Sequence, residues 1–319
     1  ERSMTGTTSF DDLRLDVRTW GAPDGVPIVL VHGLGLSVES WGSVPERLAE
    51  RHRVVAYDLR GHGRSDRSPL DDYRLEAHRR DLDAVLGSTV PDGGTAVVVG
   101  HSLGGGILLA QAATGDRRIA AVVLAGSGGS GVTAPGLPAG YLPGPVRTAF
   151  RAAWLRTLRA AARGARSVAP LRPLADRMVR RIAFAPGEPA DLVARVRDDV
   201  VATAPRALAG TTLASVSHDG VRYAAAVRVP TLVLHGTADP EVPEDEVHRL
   251  MDTLADAELV EVPGAGHMLP LVDPALVAEQ IDRWATSARA RSGGAEEASA
   301  RPEDDEVMAS GPQAASPTP

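Results

Sequence analysis

The stretch Thr95–Gly106, TAVVVGHSLGGG, decides the fold. Val97-Val98-Val99 is a β-branched run that ends at Gly100, and Ile107 to Ala113 is an apolar segment that reads as helix. Strand, tight turn and helix, with Ser102 at the apex between Gly100 and Gly104, make the G-x-S-x-G nucleophile elbow. The glycines provide space. A serine on so sharp a turn is held in a strained backbone conformation, and residues without a Cβ let strand and helix close on each other. The turn lifts the Ser102 hydroxyl above the sheet. It also leaves the Leu103 N–H at a helix N-terminus, where a developing oxyanion is stabilised.

Outward from this stretch, strand patterns recur with helical segments between them. Leu13 to Trp20 alternates apolar and charged residues, as a half-buried strand near a sheet edge does. Ile28–Val31, Val54–Tyr57, Ile119–Leu124, Val229–Leu234 and Leu259–Val262 are apolar runs, the pattern of strands covered on both faces. Helices are expected over Trp41–Arg51 and Tyr73–Leu86, and from Pro274 through Val277, Ile281 and Trp284. The fold class is α/β, a mostly parallel doubly wound sheet with a helical insertion. Residues 10–134 and 218–286 form its core, 135–217 the insertion, and 1–9 and 287–319 are expected to be disordered. The tail from Thr286 is Ala/Ser/Gly/Pro with acidic clusters and cannot bury a core.

Five motifs in order carry a resemblance over about residues 10–286: HGLG at His32–Gly35, DLRGHGRSD at Asp58–Asp66, GHSLGG at Gly100–Gly105, HGTADPEVP at His235–Pro243 and GAGH at Gly264–His267. The chain resembles the α/β-hydrolase fold superfamily, in its serine-nucleophile branch with a helical cap. The resemblance implies the order nucleophile, acid, histidine. It also implies that the loop after Val31 supplies a second oxyanion donor, the Leu34 N–H, beside that of Leu103.

Serine is a weak nucleophile until a neighbouring base takes its proton. His267, after the last strand, is the candidate base, and Asp239, after the preceding one, is the candidate orienter. His62 lies before the nucleophile, against the family order, and His248 sits in a polar helix. Glu241 and Glu244 are nearby substitutes for Asp239. Asp58, Arg60 and Ser65 read as ties of a long loop. The reading is a serine hydrolase that cleaves a carboxylic ester or related acyl compound through an acyl-enzyme. An acyltransferase, C–C bond hydrolase or lactonase on the same residues stays open, as does a non-catalytic binder. The chemistry requires no cofactor and no metal.

Composition narrows the partners. The 319 residues include no cysteine, which excludes disulfides and thiolate sites. Net charge −7 argues against nucleic acid, and no apolar stretch suits a membrane span or leader, so a cytoplasmic location is expected. Pro145–Gly210 runs the other way, with 13 arginines, no lysine and five acids. That charge is a solvated helix surface, holds the insertion on the acidic body, or meets an acidic substrate or anionic lipid surface as a peripheral contact. Within it, Val146, Phe150, Trp154 and Leu158 form an apolar helical stripe. A small acyl compound is the expected substrate, and the oligomeric state is left open.

Overall fold

The computed structural model describes residues 3–128 and 172–299, with scattered positions between 153 and 164. Eight strands form one sheet: β1 (Ser3–Thr8), β2 (Arg14–Trp20), β3 (Val26–Val31), β4 (His52–Tyr57), β5 (Ala96–His101), β6 (Ile119–Ala125), β7 (Thr231–Gly236) and β8 (Ala257–Val262). Their spatial order is β1-β2-β4-β3-β5-β6-β7-β8. β1 and β2 pair antiparallel with their neighbours, and every other pairing is parallel. From β3 the chain moves to one side to make β4, then returns to the other side to make β5. The loops after β3 and β5 therefore flank a point where strand order reverses, the place at which open α/β sheets form a crevice.

The period of two in the strands builds two cores. Val29, Val31, Val98, Val122 and Val233 point to one face, under α2 (Leu75–Thr89), α3 (Leu103–Ala112), α7 (Gly220–Ala224) and α8 (Glu244–Thr253). Ile28, Leu30, Val97, Val99, Val123, Leu232 and Leu234 point to the other, under α1 (Val44–Leu48), α9 (Leu269–Val272) and α10 (Pro274–Ser299). Between β6 and β7 the described part of the insertion includes three helices, α4 (Arg172–Ala183), α5 (Ala190–Ala202) and α6 (Pro205–Ser217). The stripe Val146, Phe150, Trp154 and Leu158 lies outside the described residues. No helix among the described residues is long and apolar enough to cross a membrane.

Three expectations are corrected. Residues 3–8 are not disordered: they form β1, in register with β2 from Ser3 opposite Thr19 to Thr8 opposite Arg14. An edge strand is held by backbone bonds, so SMTGTT needs no apolar run to join the sheet. The expected helix from Trp41 to Arg51 is split into a 3-10 turn, Val38–Trp41, and α1, at Gly42 with φ 56°. At the other end α10 continues to Ser299, and Ala288 packs with Trp284 and Ile281. A helix anchored on the core extends without a new nucleation cost, and Ala, Arg and Glu favour it. Residues 300–319 lie outside the described residues.

Candidate active site

Ser102 begins α3 directly after β5, with φ 53° and ψ −122°. The close approach that sets this turn is visible at its glycines. A Cβ on Gly104 would lie 2.1 Å from the Val31 carbonyl oxygen, and one on Gly100 would lie 2.5 Å from the backbone of Gly104. The Ser102 N–H donates to the Ala125 carbonyl at 3.0 Å. Ser127 Oγ donates to the Ser102 carbonyl at 2.7 Å. Backbone and neighbour thus fix a residue whose backbone is strained.

The Leu34 and Leu103 N–H groups donate no hydrogen bond among the described residues. Both loops that carry them are nevertheless held. His32 Nδ1 donates to the Gly33 carbonyl at 2.8 Å, and its Nε2 accepts from the Leu59 N–H at 3.0 Å. Burial pushes the His32 pKa down to about 4, so the ring is a neutral brace between two loops.

His267 Nδ1 lies 2.9 Å from Asp239 Oδ2. The other carboxylate oxygen of Asp239 accepts from the N–H groups of Glu241 at 2.8 Å and Val242 at 3.0 Å. Burial works against the imidazolium of His267. The charges of Asp239 and Glu241 and the hydrogen bond donated to Asp239 outweigh it, and the pKa is pushed up to about 9. Asp239 moves the other way: burial would raise its pKa, but the His267 charge and three hydrogen bonds hold it below the usual range. His267 Nε2 faces Glu241, whose Oε2 is 3.3 Å away. The Ser102 hydroxyl makes no hydrogen bond among the described residues.

The remaining sequence candidates stay elsewhere. His62 is buried and bonded to the Arg60 carbonyl, and burial first, then His32, lower its pKa to about 3. His248 is exposed beside Glu244 on α8. Sequence reasoning gave no role to His101, Ser127 or Glu188. His101 Nε2 donates to the His267 carbonyl at 2.9 Å, which joins the elbow to the histidine loop. It sits beside Ser102 in the elbow itself, which was the available signal. Glu188 had none, because its partner Gly266 is far along the chain.

Glu188 follows α4. Its Oε1 accepts from the Gly266 N–H at 3.0 Å and its Oε2 from the Ala185 N–H at 2.7 Å. The Met268 N–H donates to the Ala183 carbonyl at 3.2 Å. The insertion therefore grips the backbone on both sides of His267. A small apolar cluster continues the contact: Ala183, Phe184, Val193 and Val196 pack with Met268, Leu271 and Leu36. On the same side Ser37 donates to Asp199 of α5 at 2.9 Å. Burial, with Asp58 and Glu39 nearby, pushes that carboxyl up to about 6.

The DLRGHGRSD loop is tied both within itself, where Ser65 Oγ donates to the Asp58 carbonyl at 2.5 Å, and to partners outside it. Asp58 accepts from the N–H groups of Val38 and Arg64 at 2.8 and 2.9 Å and pairs with Arg18 at 3.3 Å. Arg60 makes two bonds to Asp81 at 2.6 and 2.7 Å and pairs with Asp11 at 3.2 Å. These contacts brace the strand ends and the middle of α2.

Residues 28–280 match the model of the alpha/beta hydrolase family. An uncharacterised protein of Mycobacterium tuberculosis is 29% identical over 280 residues, 82% of this chain and 76% of that protein. A thermophilic esterase from Thermogutta terrifontis superposes with a TM-score of 0.73 at 25% identity, covering 90% of this chain and 99% of its own. The enol-lactonase of Burkholderia xenovorans has a TM-score of 0.70 at 24% identity, covering 88% of this chain and 100% of its own, a likeness of fold. The family match and the esterase likeness support a hydrolytic function. The family match spans most of the chain, and the protein belongs to the alpha/beta hydrolase family.

Proposed function

We propose that the protein is a serine hydrolase that cleaves a carboxylic ester, or a related small acyl compound, through an acyl-enzyme. The observation that carries the reading is Ser102 on its positive-φ turn, beside the undonated Leu34 and Leu103 amides. In the reaction, Ser102 Oγ attacks the acyl carbon while His267 Nε2 takes its proton. The carbonyl oxygen becomes an oxyanion between the two amides. His267 then protonates the leaving alcohol as the C–O bond breaks. Water, deprotonated by the same nitrogen, releases the acid and frees Ser102. Asp239 holds the imidazole through Nδ1 and stabilises the imidazolium. The carboxylate pair at the ring and the serine nucleophile need no metal ion for these steps. The helical insertion acts as a cap, since it rests on both the Leu36 and the Met268 sides.

The test is a fluorophosphonate label with a series of acyl esters of graded chain length. Stoichiometric labelling at Ser102 with turnover of short or medium esters supports the reading. Absence of labelling in folded protein at alkaline pH refutes it.

A further inference from the structure

Chemistry at this site turns on one nitrogen. His267 Nδ1 is committed to Asp239, so Nε2 must take the proton from Ser102 and deliver it to the leaving group. In the structure Nε2 faces the Glu241 carboxylate at 3.3 Å. Glu241 follows Asp239 by two residues, and its own N–H bonds the Asp239 carboxylate at 2.8 Å. The two acids are therefore fixed on one turn and clasp the imidazole from opposite sides. The Glu241 side chain is only 13% exposed, and His267 is the cation it pairs with among the described residues.

The other groups around the ring add no competing charge. His101, at the end of β5, packs against the ring at a centroid distance of 5.0 Å, tilted by 46°. Burial and then the His267 charge lower the His101 pKa to about 3, so it is neutral. Gly126, after β6, approaches Nδ1 without a charge. Glu188 from the insertion spends both oxygens on backbone amides, and Arg180 of α4 donates to the Glu188 carbonyl.

We propose that Glu241 is a positioning residue for His267, a resting-state catch that occupies Nε2 and must be displaced or neutralised before Ser102 can be deprotonated. This rests on the reading of Ser102 as nucleophile and His267 as base. The sign of the pH effect follows. General-base action needs the neutral imidazole, so a pKa pushed up to about 9 leaves little base at neutral pH and more as pH rises. Loss of the Glu241 charge removes one of the two attractions that favour the imidazolium.

The experiment measures kcat/KM for p-nitrophenyl acetate from about pH 5 to about pH 10 in wild type, Glu241→Gln and Ser102→Ala. In parallel, the His267 C2 proton resonance is titrated in Ser102→Ala with and without Glu241→Gln, which needs no turnover. The expected result is an acid limb that moves down by about one pH unit or more in Glu241→Gln, with kcat/KM at neutral pH raised about fivefold or more and an alkaline plateau little changed. The His267 titration shifts by the same amount. An unmoved His267 titration overturns the proposal, whatever the variant does to rate. Ser102→Ala that keeps wild-type turnover overturns the reading of the site instead, and the resonance still decides whether Glu241 acts on His267.

Discussion

Two clusters of buried polar side chains sit at the carboxyl end of the sheet, and they are built differently. Around Asp58 and Arg60 every charge has an opposite charge against it: Arg18 meets Asp16 and Asp58, and Arg60 meets Asp81 and Asp11. Around His267 two carboxylates face one imidazole, a serine sits on a strained turn, and two amides have no acceptor among the described residues. The first cluster pairs its charges and so contributes shape. The second leaves groups unmatched, and unmatched groups are what a reacting molecule can use. Substitutions in the two clusters should therefore fail in opposite ways.

The largest effect belongs to the unmatched cluster. Ser102→Ala should lower kcat/KM for an activated ester at least about 10^4-fold, and Asp239→Asn by about 10^3-fold or more, with melting temperatures within a few degrees of wild type. Steady-state rates and a thermal melt on the same samples check this. A Ser102→Ala protein with wild-type turnover would remove the nucleophile from the comparison.

Arg60→Ala should do the reverse. It leaves Asp81 and Asp11 without their cation in a site where Arg60 is fully buried. Breaking such a pair costs about 3–5 kcal/mol, which corresponds to a fall of about 10 °C in Tm for a domain of this size. Activity per folded molecule at low temperature should stay within a few-fold of wild type. A melt unchanged by Arg60→Ala would show that the network adds nothing to stability.

The same contrast explains what the sequence reveals. The strands were legible because burial on both faces leaves continuous apolar runs, as in Ile28–Val31 and Val97–Val99. The elbow was legible because Gly100 and Gly104 are dictated by close backbone approach. Asp239 and His267 were legible as loop residues after strands, and the structure sets them 2.9 Å apart. β1 was not legible, since an edge strand of Ser, Thr and Gly is held by its backbone. Nor were Glu188 and Asp199, whose contacts join the insertion to loops far away in sequence. The insertion's arginines drew the eye. Yet in the described residues two of its five acids, Glu188 and Asp199, make the shorter contacts to the body, to the Gly266 amide and Ser37, while Arg195 reaches the Glu39 carbonyl at 3.4 Å and Arg206 reaches Asp71 at 3.7 Å between exposed side chains.

Glu188 stands between the two clusters in kind: it is satisfied, but it holds an unmatched neighbour. Glu188→Ala frees the Gly266 amide and loosens one side of the His267 loop. A charged hydrogen bond of this sort is worth about 1.5–3 kcal/mol. The expected result is a drop in kcat of about tenfold, with a loss of only a few degrees in Tm. A wild-type kcat would show that the remaining contacts, to His101 and Ala183, hold the histidine loop without Glu188.

The smallest effect concerns the end of α10, far from both clusters. Ala288 is 4% exposed and packs in the same core as Ile281 and Trp284. A chain ended after Ala290 keeps that contact. Its Tm should stay within about 2 °C of the full chain, because a low-complexity acidic tail adds little buried surface. A chain ended after Thr286 loses Ala288 and the last turns over the core. Burial of one methyl group is worth about 0.8 kcal/mol, or roughly 2–3 °C here. The shorter chain should melt lower by that amount while kcat of both stays at the wild-type value. The order of the two melts is the test. If ending after Ala290 already costs the full several degrees, the segment beyond it docks on the body and the boundary of the core lies further along the chain than Ala288.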